Sequence, residues 1–229
     1  MKADGYRNVV VLTGAGISSA AGLATYRGPG GLWNDEKVIA LAQAGALASR
    51  RVEATDMFWA LREAAAGSQP TAAHRALAAF EARTPGDFLL VTQNVDGLHQ
   101  RAGSKKIVEY HGGLREWYCA RCGERAEPAT GGPPPEHCGE RMRPDAVLFG
   151  EDIPAAADHA VTRALRDCDL FVAIGTSGTV WPAAGFVRSA AYAGARTVLL
   201  NLEIDAAARD QFAECHAGPA DELVAAWFA

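Results

Sequence analysis

The stretch Asn8-Val9-Val10-Val11-Leu12-Thr13-Gly14-Ala15-Gly16-Ile17-Ser18-Ser19 decides how the chain is read, because a short apolar run breaks directly into glycines and hydroxyls. Val9 to Leu12 is aliphatic throughout, the pattern of a strand covered on both faces in a parallel sheet. Gly14 and Gly16 let the backbone approach another group closely, and the amides at the helix start beyond them suit a phosphate. As a dinucleotide fingerprint the stretch is incomplete. Ser19 stands where a third glycine belongs, and no acidic residue ends a second strand about 20 residues on. A plain strand-to-helix turn remains open at this point.

The 229 residues, 49% hydrophobic and 21% charged, are enough for one substantial core with a small satellite module. A net charge of -5 and no block of lysines or arginines exclude a general nucleic-acid surface. No apolar run reaches membrane-spanning length, and Met1 to Gly5 runs into the first strand without a secretory signal, so a cytoplasmic protein with no membrane partner is expected. Cys119 and Cys122, among five cysteines, suit a metal site in a reducing compartment better than a disulfide framework.

Beyond the glycine turn, residues 22–33 are too glycine-rich for a helix and carry Tyr26, Arg27 and Trp33, as in a loop that closes over a ligand or a surface connection anchored by Trp33. Alanine-rich sequence from Glu36 to Ala66 predicts helix, and Pro70-Thr71 opens another through Arg83. Within the first, Trp59 and Arg62 share a helical face. The strand Phe88–Val91 ends in Thr92-Gln93-Asn94-Val95-Asp96, and Ile107-Val108 leads to His111-Gly112-Gly113. Leu170–Ile174 ends in Gly175-Thr176-Ser177-Gly178, and Thr197–Leu200 ends in Asn201 and Glu203. Ligands of open α/β sheets bind at carboxyl ends of strands, so polar groups at four such ends point to one site, although Asn94, Asp96 and Asn201 also suit helix capping. His111 fits a general base.

Composition shifts between Trp117 and Met142, where cysteines, prolines and glycines replace apolar periodicity. Such a stretch needs a metal to fold. Cys119 and Cys122 have zinc-ligand spacing, but Cys138 lacks a cysteine partner, Pro135 standing where one belongs. His137 is the candidate fourth ligand, and a metal-free module is the alternative. Cys168 and Cys215 read as buried apolar residues. The βα repetition with two insertions predicts an α/β protein: a Rossmann-like doubly wound parallel sheet with a small domain made of a helical module and a zinc-ribbon-like module. The expected division is 1–28, 84–116 and 147–229 for the sheet domain, 29–83 for the cofactor loop and helical module, and 117–146 for the ribbon.

Taken together, Gly14-Ala15-Gly16-Ile17-Ser18, Tyr26-Arg27, Thr92-Gln93-Asn94-Val95-Asp96, His111-Gly112, the Cys119/Cys122 pair, Phe149-Gly150-Glu151 and Gly175-Thr176-Ser177 resemble the sirtuins over nearly the whole chain. The resemblance implies an NAD-dependent protein lysine deacylase with acylated lysine side chains as substrate, a structural zinc ion, and a monomeric state. Gly14, Ala15, Gly16, Ser18, Gly175, Thr176 and Ser177 would then bind the cofactor, with Asn201, Glu203, Gln93 and Ala220 around its riboses and adenine. Asn94 and Asp96 would line the nicotinamide pocket, Tyr26 would shield the ribose, and Arg27 would lie nearby. In the implied reaction the acyl oxygen attacks the ribose as nicotinamide leaves, Asn94 assists, and His111 accepts a proton through the ribose hydroxyls. Val95, Val147 and Phe149 would grip the lysine stem. The peptide would pair between Phe149-Gly150-Glu151 and Gly178-Thr179-Val180.

The chain departs from the family at Ala24, at Tyr26 in place of phenylalanine, and at the missing fourth cysteine. Family members that prefer succinyl or malonyl groups carry Tyr-x-x-Arg near Trp59-Ala60-Leu61-Arg62. The retained Arg62 therefore implies some activity on acidic acyl groups beside deacetylation. Mono-ADP-ribosyl transfer and a non-catalytic NAD-binding module are the alternative readings.

Overall fold

The computed structural model describes every residue except Met1, Arg27, Gly28, Pro29 and Thr179, and leaves the Trp33 side chain undescribed. Arg27, expected near the nicotinamide, and Thr179 therefore lie outside the described residues. The chain opens with β1 (Asn8–Thr13) and a 3-10 turn at Ala15–Ala21. Helices α1 (Glu36–Leu41), α2 (Ala46–Ser49), α3 (Arg51–Gly67) and α4 (Ala72–Arg83) precede β2 (Asp87–Thr92), α5 (Leu98–Ala102) and β3 (Ile107–Glu109). A second insertion carries β4 (Gly112–Tyr118), β5 (Arg125–Ala126), β6 (Glu136–His137), β7 (Glu140–Arg141) and β8 (Arg143–Ala146). The remainder alternates as α6 (Ala155–Arg166), β9 (Leu170–Ile174), α7 (Phe186–Tyr192), β10 (Arg196–Asn201), α8 (Ala206–Gln211), β11 (Glu214–Ala217) and α9 (Ala220–Phe228).

Six strands form one sheet in the order β11-β10-β9-β1-β2-β3, every pair parallel. Alternation of side chains along each strand divides its apolar residues between two cores. Val9 and Val11 of β1 pack with Leu77 and Phe80 of α4 and Val224 and Trp227 of α9, whereas Val10 and Leu12 pack with Val161 and Leu165 of α6 and Phe186 of α7. A continuous aliphatic run is thus buried on both faces. The order reverses between β1 and β9, which places the crevice of the fold beyond Thr13 and Ile174.

A third core joins the insertions: Leu41, Leu47, Phe58 and Trp59 of the helical stretch pack with Trp117, Met142 and Leu148. The helix expected over Glu36–Ala66 is interrupted, with physical cause. Phe149 N–H donates to Ala42 O at 3.0 Å and Ala44 N–H to Phe149 O at 2.9 Å, which draws residues 42–44 out of helix into a parallel bridge. The start of α4 falls where expected, since the Thr71 hydroxyl accepts from His74 N–H and His74 Nδ1 accepts from Thr71 N–H. Among the described residues no helix is long and apolar enough to cross a membrane. Leu77, fully buried between α4 and the sheet, tests the first core: Leu77→Ala is expected to lower stability by about 3 kcal/mol in urea denaturation, and a change within error would contradict that packing.

Candidate active site

At the reversal point two backbone turns cross with no room for side chains. Gly14 N–H donates to Ile174 O at 3.0 Å and Gly16 N–H to Gly175 O at 2.9 Å. A Cβ on Gly16 would lie 2.7 Å from Gly175 Cα, and one on Gly175, which sits at φ +58, would lie 2.6 Å from Ile17 N. Only glycine permits this approach. The crossing forms the floor of a cleft of ≈ 1400 Å³ that runs from the sheet to the helical insertion.

Most residues expected at the cofactor line that cleft: Gly14, Ala15, Gly16, Tyr26, Gln93, His111, Gly175, Thr176, Ser177, Asn201, Glu203 and Ala220. Gln93 Nε2 donates to Thr176 Oγ1 at 2.9 Å and Asn201 Nδ2 to Thr176 O at 3.4 Å, which ties three strand ends together. Tyr26 has its phenol pushed up to about 12 by burial and by Asp96, so it stays neutral. His111 Nδ1–H donates to Gln93 O at 3.2 Å, leaving Nε2 as the lone-pair nitrogen. Burial lowers the His111 pKa below 6.5 despite that hydrogen bond, so the imidazole is neutral at physiological pH and able to accept a proton.

Ser18, Asn94 and Asp96 lie behind the cleft surface, in a buried polar network. Ser18 Oγ–H donates to Asp96 Oδ2 at 2.7 Å, and Asp96 Oδ1 accepts from Leu98 N–H, so the carboxylate caps α5 as well. Asn94 Nδ2 donates to Gly14 O at 3.1 Å and Ser18 Oγ at 3.2 Å, which leaves the buried Oδ1 without a partner among the described residues. That orphaned acceptor fits a donor such as a carboxamide of a bound cofactor. The glycine cradle and this acceptor together match an ADP-ribose bearing nicotinamide.

Two histidines that sequence reasoning passed over complete the network. His74 Nε2 lies 3.5 Å from Ser18 Oγ, His99 Nε2 lies 3.0 Å from Thr13 Oγ1, and their ring centroids are 4.5 Å apart. The capping pattern Thr71-x-x-His74 was the one available signal. Burial pushes His74 down to about 4, and burial with neighbouring His74 pushes His99 well below 6.5.

The residues expected at the substrate divide. Val95, Val147, Phe149, Gly150 and Val180 line the cleft, as do Met57, Phe58 and Leu61, which sequence reasoning did not select. Trp59 and Arg62 do not. The Phe149 backbone, expected to pair with peptide, is bonded through both N–H and C=O to residues 42–44.

In the second insertion, the ligand atoms of Cys119, Cys122, His137 and Cys138 lie within 4.8 Å of one another. His137 Nδ1 is 3.3 Å from Cys122 Sγ and 3.2 Å from Cys138 Sγ, and the two sulfurs are 3.6 Å apart. Tetrahedral zinc with ordinary bond lengths has edges of about 3.8 Å between sulfurs and about 3.5 Å from nitrogen to sulfur, so the donor set fits. Adjacent ligands converge because Cys138 takes a left-handed backbone, φ +53.

The buried histidines give a stability test. The unfolded chain takes up protons as pH falls through 6.5, whereas His74 in the fold does so only near 4, so the unfolded state binds more protons in that window. The stability from the neutral histidines is complete above pH 6.5 and lost as pH falls towards 4. A His99→Gln variant is expected to show a shallower decline of its urea midpoint across this range. An unchanged slope would contradict burial of neutral imidazoles.

Residues 14–182 match the family model described as Sir2 family. A relative from Pasteurella multocida, named NAD-dependent protein deacylase, is 43% identical over 226 residues, covering 94% of each chain. One of the same name from Aquifex aeolicus is 42% identical, covering 86% of this chain and 84% of its own. Among solved structures, a complex of a Sir2 homologue with NAD superposes with TM-score 0.88 at 31% identity, covering 99% of this chain and 90% of that one. A Sir2–p53 peptide–NAD+ complex gives TM-score 0.84 at 28% identity, covering 97% and 92%. The chain belongs to the Sir2 family.

Proposed function

We propose that this protein is an NAD-dependent protein lysine deacylase, converting NAD, an acyl-lysine and one water into nicotinamide, free lysine and O-acyl-ADP-ribose. The observation that carries the reading is one cleft holding both the glycine crossing and a neutral His111, with an apolar passage of Val95, Val147 and Phe149 beside them. Relatives 42–43% identical over most of the chain carry the name NAD-dependent protein deacylase, which supports it.

NAD, when bound, would supply a ribose carbon electrophilic enough for the acyl oxygen, with nicotinamide as the leaving group. The amides of Ala15 and Thr176, carried on turns that the Gly14, Gly16 and Gly175 amides close, would bind the diphosphate, and Asn201 with Glu203 would hold the adenosine ribose. Gln93 orients the second ribose, while Asn94 Oδ1, aided by the Ser18–Asp96 hydrogen bond, orients the carboxamide. Tyr26 closes the ribose face and excludes water, which would otherwise intercept the reacting carbon. His111 Nε2 accepts the ribose hydroxyl proton, the Gln93 carbonyl fixing its tautomer. Cys119, Cys122, Cys138 and His137 Nδ1 would hold zinc, which would brace a segment with little core of its own.

Incubation with NAD and an acetyl-lysine peptide is expected to release nicotinamide in step with deacetylated peptide. His111→Ala should lose about 10²–10⁴-fold in turnover while still binding ADP-ribose. In the wild type, kcat/KM should stay level down through pH 6.5 and fall only at lower pH, because burial lowers the pKa of His111, the base of that limb. Deacetylation without nicotinamide release, or full turnover by the variant, would contradict the reading.

Metal analysis of purified protein should find about one zinc per chain, sharply reduced in His137→Ala. Equal zinc in the variant would remove His137 from the site.

A further inference from the structure

Helix α3 presents two different faces. Met57, Phe58 and Leu61 form one and line the cleft, where Leu61 and Val95 pack on the same core as Phe58. Trp59, Arg62 and Glu63 form the other, turned towards residues 128–132 of the cysteine-bearing insertion. Trp59 Nε1 donates to Gly132 O at 2.9 Å, Arg62 Nη2 donates to Pro128 O, and Gly131 N–H donates to Glu63 Oε2 at 2.8 Å. Arg62 Nη1 pairs with Glu63 Oε1 at 2.7 Å, and its guanidinium carbon stands 4.6 Å from the centroid of the Trp59 ring. The Arg62 side chain is only 10% exposed.

The geometry points to a cleft selective for neutral acyl chains, with Trp59, Arg62 and Glu63 acting as a clamp between α3 and the 128–132 loop. This rests on the deacylase reading above and names the substrate class of that site. A guanidinium engaged by a carboxylate, a carbonyl and an indole face is committed, and to enter the cleft it would have to abandon all three. Nε, its buried nitrogen without a partner among the described residues, belongs to a side chain outside the cleft lining. The wall that α3 offers an acyl chain is a thioether, a phenyl ring and an isobutyl group, which favour alkyl groups and leave a terminal carboxylate without the pairing that burial demands. The clamp residues are positioning residues. By fixing α3 against the loop that joins Cys119 and Cys122 to His137 and Cys138, they hold Phe58 and Leu61 in the wall.

The test compares acetyl-, butyryl- and succinyl-lysine forms of one peptide by nicotinamide release, in wild type and Arg62→Met, with amide hydrogen exchange of residues 128–132. In the wild type, acetyl and butyryl peptides should be turned over with kcat/KM at least about tenfold above the succinyl peptide. Arg62→Met should leave the succinyl-to-acetyl ratio unchanged and speed exchange at Gly131. Succinyl turnover equal to or above acetyl in the wild type would overturn the proposal without a variant. So would a variant that loses succinyl activity selectively through a raised KM while exchange stays unchanged. Nicotinamide release with none of the three peptides would instead overturn the deacylase reading itself.

Discussion

The close passage of Gly16 against Gly175 is the constraint on which the site depends. Two strand ends, 159 positions apart by residue number, meet with backbone touching backbone, and no side chain fits between Gly16 Cα and Gly175 Cα. The crossing sits where the strand order reverses, so it is at once the join between the halves of the sheet and the floor of the cleft. The amides of Gly14, Gly16 and Gly175 are taken up in closing it, donating to Ile174 O, Gly175 O and Leu200 O. The anion site proposed there would follow from how the sheet closes rather than from an added feature.

Behind this floor lies polar matter that a hydrophobic core would not otherwise tolerate. Thr13, Ser18, His74, Asn94 and His99 are buried and linked by hydrogen bonds into one patch between β1, α4 and α5. Such a network holds only when most members are satisfied, which gives Asn94 a fixed orientation; Asn94 Oδ1 and His99 Nδ1 are its two buried atoms without a partner among the described residues. The second insertion solves a different problem. Its strands are two to four residues long after β4, and a cysteine–histidine donor set able to hold a metal, with the hydrogen bonds from α3 to residues 128–132, stands in for a large core.

Much of this was legible in residue order. The aliphatic β1 run ending in Gly14 and Gly16, and the polar ends of β2, β9 and β10, announce a parallel sheet with a ligand at its carboxyl edge, because burial on both faces and the chemistry of strand ends are local facts. Three things were not legible. His74 sits in an alanine-rich helix and His99 in a short one, and their burial comes from each other and from β1, segments far apart in sequence. Spacing placed Trp59 and Arg62 on one helical face but not which face meets the cleft, since that depends on where the 128–132 loop docks. Helical periodicity through residues 42–44 was overridden by backbone bonds to Phe149, a tertiary effect without local signal. The His137-Cys138 ligand pair lay between, visible as donors but requiring the left-handed backbone of Cys138 to converge.

The most direct measurement of the central claim is calorimetric titration of ADP-ribose into wild type and Gly16→Ala, with far-UV circular dichroism to confirm that both are folded. If the glycine crossing builds the cofactor floor, the wild type binds at one site and the variant, forced to separate the two turns, loses that binding while retaining its secondary structure. Equal affinity in a folded variant would contradict the account, since it would place the cofactor away from the junction of β1 and β9.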